Sequence, residues 1–129
     1  MNKYENNAYF WQKIESLYLS SDFVLTQEIG SAHPLYSNLI YPVKYGVLKP
    51  YGSDSYSDIH VFKGSAGESI DAIVICADIM KKDIEAKFLM GVTEKEENEI
   101  LRFLNQTDFQ KSVVIRKGLD FPSWAETEN

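Results

Sequence analysis

The run Ile70-Asp71-Ala72-Ile73-Val74-Ile75-Cys76-Ala77 is nearly all apolar and rich in β-branched residues. It is far shorter than a membrane span. That pattern is expected of a strand buried on both faces, because nothing in it is set aside for water. Residues 84–92 alternate more cleanly. Ile84, Ala86, Phe88, Met90 and Val92 share one face, and Glu85, Lys87 and Leu89 share the other. Further strands are predicted over 22–29, 41–48, 58–63 and 112–117, with Pro42 confined to a strand start or an edge. Gly30-Ser31-Ala32-His33-Pro34, the Gly-, Ser-, Pro- and Asp-rich stretch 49–57, and residues 64–67 read as turns and loops.

Two helical patterns flank these strands. Phe10, Trp11, Ile14, Leu17 and Tyr18 form one apolar stripe that Asn6 or Asn7 can cap and Ser20-Ser21-Asp22 ends. Thr93 and Glu96 have the spacing of a capping box, followed by Ile100, Leu101, Phe103 and Leu104. Five or six short strands with a helix at each end predict an α+β fold, a small mixed sheet closed into a barrel. The 129 residues suit one domain, 1–129, with fraying expected at 1–8 and 119–129.

Thirteen basic residues against 19 acidic leave a net charge of −6, which repels a polyanion. Nucleic acid is therefore not an expected partner, although a small phosphate can bind in a locally basic pocket. The one cysteine, Cys76, excludes an internal disulfide and reads as a buried core thiol. No apolar run reaches membrane-spanning length and no signal pattern opens the chain, so the expected location is the cytoplasm, without membrane attachment. A homo-oligomer is compatible with so small a domain.

Chemistry has few places to reside. Glu85 and Lys87 lie about 7 Å apart on one strand face, with Asp83 in the same parity. A carboxylate beside an ammonium can hold a metal with one group and a phosphate oxygen with the other. The same pair also suits a solvated outer face, where it contributes little. Asp54 and Asp58 bracket a polar turn and suit magnesium, a hard cation, yet loop aspartates also simply form turns. His33 and His60 are isolated, which argues against structural zinc. No Gly-rich phosphate loop, nucleophile elbow or HExxH motif is present.

Tyr41-Pro42-Val43-Lys44-Tyr45-Gly46 resembles the Y-P-x-N-Y-G-Y signature of the soluble family I inorganic pyrophosphatases. Ser53-Asp54-Ser55-Tyr56-Ser57-Asp58 stands where that family has D-x-D-P-x-D, and Glu85-Ala86-Lys87 where it has D-x-K. Phe10-Trp11, Gly30-Ser31-Ala32-His33-Pro34, Asp78, Lys82-Asp83, Gly91 and Thr93-Glu94 are similar to a short bacterial branch of it. The resemblance implies an OB-like five-stranded barrel with an N-terminal and a C-terminal helix, and Mg²⁺-dependent hydrolysis of diphosphate to phosphate. It implies Asp58, Glu85 and Lys87 as catalytic residues, Tyr45, Lys44 and Lys87 as contacts to phosphate or diphosphate, and Asp54, Asp58, Asp83 and Glu85 as Mg²⁺ ligands.

The departures bear on activity. Ser53, Ser55 and Met80 stand where the resemblance calls for acids, Lys44 replaces the signature asparagine, and Leu35 replaces an arginine. A neutral side chain cannot supply the charge of a carboxylate beside Mg²⁺. Two functions therefore stand side by side: a divergent Mg²⁺-dependent diphosphatase, and a non-catalytic binding or interaction protein on the same fold. A single-stranded nucleic-acid platform is a third, opposed by the net charge.

Overall fold

The computed structural model describes residues 6–118. Helix α1 (Ala8–Leu19) leads into β1 (Ser21–Gln27), β2 (Lys44–Pro50), β3 (His60–Lys63), β4 (Ile70–Asp78) and β5 (Asp83–Met90); helix α2 (Glu94–Leu104) and β6 (Gln110–Arg116) follow. The six strands form one sheet in the order β1-β2-β3-β5-β4-β6. Neighbours are antiparallel except β3 and β5, which run parallel.

The five-stranded closed barrel expected from the sequence is corrected by this topology. β1 and β6 are the two edges and do not pair with each other, so the sheet is open and six-stranded. The α+β class and the two helices stand.

The run that needed cover on both faces receives it. Ala72, Val74 and Cys76 of β4 pack with Ile100 and Leu104 of α2. Ile73 of the same strand packs with Trp11 of α1. Ile70 lies with Ile73 although the two differ in parity, because a register shift between Ile70 and Ala72 breaks the alternation. The sheet thus separates two apolar cores, one under each helix.

Both helix starts form as their sequences predict. The Asn7 side chain accepts from Phe10 N–H, and the Thr93–Glu96 capping box is complete. Residues 1–5 and 119–129 of the segments expected to fray lie outside the described range. Asn6 and Asn7 are held: the Asn6 amide donates to the Arg116 carbonyl at 2.6 Å, and Asn7 is buried. At the far end of β5, Gly91 has φ +57° and sits against the Gly67 carbonyl where a Cβ has no room. This break ends the alternation at Met90, so Val92 packs with the α2-side core and not with Phe88 as its parity predicts.

Candidate functional site

Strands β2, β3 and β5 each place a polar residue on the α2 side of the sheet. Register sets His60 beside Lys87 and Phe62 beside both Tyr45 and Leu89. Along β5 the exposed surface shrinks from Glu85 (18% of its side chain) to Lys87 (6%) and to Leu89, which is fully buried. The strand therefore carries the Glu85–Lys87 face from solvent into the core, and the solvated outer-face reading of that pair does not hold.

The segment between β1 and β2 folds back over this face. A bridge between Ala32 and Ile40, with His33 N–H donating to the Leu39 carbonyl at 2.8 Å, shapes it into a flap. His33, Tyr36, Leu39 and Tyr41 of the flap form one wall, Phe103 and Leu104 at the end of α2 together with Phe109 another. Between them lies a cavity of about 260 Å³, with Tyr45, Glu85 and Lys87 also lining it. Leu35 and Met80, both largely exposed, stand at its rim.

Lys87 is the centre of the polar floor. Its Nζ donates to Tyr45 Oη at 2.7 Å and to Glu85 Oε1 at 3.3 Å. Glu85 Oε2 lies 3.7 Å from Lys81 Nζ. Burial works to raise the Glu85 pKa, but the charges of Lys87 and Lys81 outweigh it and hold the carboxyl below its ordinary value. Burial, and secondly Glu85, drive the Tyr45 pKa well up, so this phenol stays protonated at neutral pH. Since Tyr45 Oη accepts from Lys87, its own proton remains for another acceptor.

His33 also lines the cavity. Its Nδ1 accepts the Leu35 N–H at 3.0 Å, and burial, followed by Lys81 and Lys87, lowers its pKa. The neutral ring therefore carries its hydrogen on Nε2. It stacks on Tyr41, whose phenol burial pushes up to about 12. His60 stacks on Tyr45, and its pKa is lowered by burial and by Lys87, while Glu85 and the Asp58 backbone act in the opposite direction.

Of the residues that the resemblance implies as catalytic, phosphate-binding or metal-binding, Tyr45, Glu85 and Lys87 are brought together, with His33 and Asp78 in the same lining; Lys44, Asp54, Asp58 and Asp83 are not. Lys44 points to a separate hollow beside Lys63 and Glu96. Asp54 and Asp58 are exposed on the β2–β3 connection and do not line the cavity. Asp83 accepts from Ile84 N–H and faces the outside of the β4–β5 hairpin. Ser53 and Ser55 hydrogen-bond to each other within their turn, Ser53 Oγ accepting from Ser55 N–H at 3.0 Å. The sequence reading missed Tyr36, Lys81 and Phe109 as lining residues, for they come from three segments with no shared spacing.

The implied Mg²⁺ set, Asp54, Asp58, Asp83 and Glu85, is therefore not gathered. Among the described residues no group of three or more His, Cys, Asp or Glu is placed to hold a metal ion. Asp78 and Glu85 are the carboxylates lining the cavity. Asp78 Oδ1 is occupied by Met80 N–H and Lys81 N–H at 2.9 and 3.0 Å, and Glu85 by two ammonium groups. A hard divalent cation needs several free oxygen ligands, and this donor set does not fit one.

No family model, curated protein or solved structure matches the chain. Among the described residues no helix is long and apolar enough to cross a membrane.

Proposed function

We propose that the cavity is a metal-independent binding site for a small anion, and that the chain acts as a binding protein rather than a hydrolase. The observation that carries this reading is the buried Lys87 at the cavity floor, bonded to Tyr45 and Glu85. A buried ammonium with an adjacent free phenol proton is a ready anion contact, since charge-assisted hydrogen bonds are the strong ones. Resemblance to the family I pyrophosphatases fits as the ancestry of such a site, with the acids that chemistry requires no longer gathered around it. The test is titration calorimetry with phosphate and diphosphate in the presence of EDTA, together with the Lys87→Met variant. Binding that survives chelation and weakens in the variant is the expected result; binding that appears only with added Mg²⁺ opposes it.

The convergence of Tyr45, Glu85 and Lys87 in one cavity favours a second reading, the divergent Mg²⁺-dependent diphosphatase. Incubation with diphosphate and Mg²⁺ or Mn²⁺ decides it. Phosphate release above that of Lys87→Ala supports hydrolysis, and release equal to it removes the hydrolase from consideration.

A further inference from the structure

The cavity has two unlike halves, and their combination narrows the ligand. Its polar end offers donors. Tyr45 keeps its own proton, His33 presents Nε2–H, and Lys87 has one N–H beyond those given to Tyr45 and Glu85. Of the carboxylates nearby, Glu85 is paired with Lys81 and Lys87, and Asp78 Oδ1 accepts from two backbone N–H groups. The lining carries two ammonium groups, Lys81 and Lys87, and two carboxylates, Glu85 and Asp78, so it holds no surplus of positive charge with which to balance a multiply charged anion. A diphosphate carries more charge than this end balances, in a place that does not suit a divalent cation.

The other half is apolar and aromatic. Tyr41 packs on Phe103 with centroids 4.7 Å apart, and Tyr36 lies 5.5 Å from Phe109 across the cavity wall. Leu39 is buried and Leu35 and Met80 extend the apolar surface outward at the rim. Inorganic phosphate makes no use of such walls. A flat apolar body does, because each ring face buried there leaves water.

Resting on the binding function proposed above, we infer that the ligand is a monoanion with an aromatic body, of the arenecarboxylate class. Its carboxylate meets Lys87, Tyr45 and His33, and its ring lies among Tyr36, Tyr41 and Phe109.

The test compares 2-naphthoate, its neutral amide 2-naphthamide, inorganic phosphate and diphosphate against the full chain. Calorimetry reads affinity and ¹H–¹⁵N spectra read the location. The expected result is that naphthoate shifts the amide resonances around Tyr45, Lys87 and Phe109. It binds at least tenfold more tightly than the amide and than either inorganic anion. Lys81→Met, at an exposed position, weakens naphthoate several-fold more than it weakens the amide, and an equal loss for both overturns the anionic head. If diphosphate or phosphate perturbs the same resonances and binds as tightly as naphthoate or tighter, the aromatic assignment is overturned and small-anion binding stands. Equal affinity for naphthoate and its amide overturns the anionic head. If none of the four shifts those resonances at millimolar concentration, both the ligand class and the binding function fail.

Discussion

Tyr45 and Lys87 hold each other in the cavity floor, and the pair links stability to the site. Removing the Tyr45 hydroxyl leaves a buried ammonium short of one acceptor. Tyr45→Phe is expected to cost about 1.5–3 kcal/mol, the range for a hydrogen bond to a charged group, measured by urea unfolding at pH 7. The neighbouring glycine is constrained for another reason. A Cβ at Gly46 would collide with the Val24 carbonyl oxygen and lie 2.6 Å from the Phe23 ring. Gly46→Ala is expected to lose about 1–3 kcal/mol by overpacking, read from the same unfolding midpoint. In the run Tyr41 to Gly46, then, Tyr45 faces the cavity and Gly46 lets Phe23 lie across the sheet, whereas Lys44 points elsewhere. Alternation on β2 separates Lys44 from Tyr45, which corrects the implied pairing of the two as phosphate contacts. The Phe23 contact is not legible in the sequence, because it depends on which strand pairs with β2.

Helix α2 shows how one element can tie two parts of the chain. Thr93 Oγ1 accepts from Glu96 N–H at 3.1 Å, and Glu96 Oε1 accepts from Thr93 N–H at 2.9 Å. The same carboxylate also accepts from Ser65 N–H and Ser65 Oγ, in the turn between β3 and β4. Thr93→Ala is expected to cost about 0.5–2 kcal/mol, as N-cap losses do. Glu96→Ala is expected to cost more than Thr93→Ala, because it also releases Ser65; thermal unfolding of the two variants side by side checks the order. The capping box was visible in the sequence from its own spacing. Its second partner was not, since Ser65 is 31 residues away. The strands follow the same division: their existence follows from local β-branched and alternating patterns, while the bulge after Ile70 and the break at Gly91 reverse parities that a uniform alternation predicts.

For the whole molecule, the α2-side face carries both His33 and His60 with pKa values below the ordinary 6.5. In the unfolded chain they take up protons as pH falls below 6.5, before the folded protein does. The unfolded state then binds more protons, so stability decreases from about pH 6.5 downward until the lowered folded values are passed. Glu85, also lowered, adds a loss at more acid pH, below its ordinary value of 4.5. The melting temperature is expected to be flat above pH 7 and to fall through the first window, with a shallower fall in His60→Phe; calorimetric scans across pH 4–8 check both. The open sheet explains why the four proposed metal ligands stay apart. Asp54 and Asp58 ride on an exposed connection beyond β2, Asp83 faces out of a hairpin, and Glu85 alone of the four turns into the cavity. By itself the sequence determined the α+β class, both helix starts, the doubly covered β4 and the shared face of Glu85 and Lys87, because each rests on spacing within one segment. Only the tertiary structure decided that the sheet stays open, that Lys87 is buried, and that a flap and a helix end enclose an aromatic cavity above it. Those outcomes depend on strand order and on contacts between distant segments, to which local periodicity is blind.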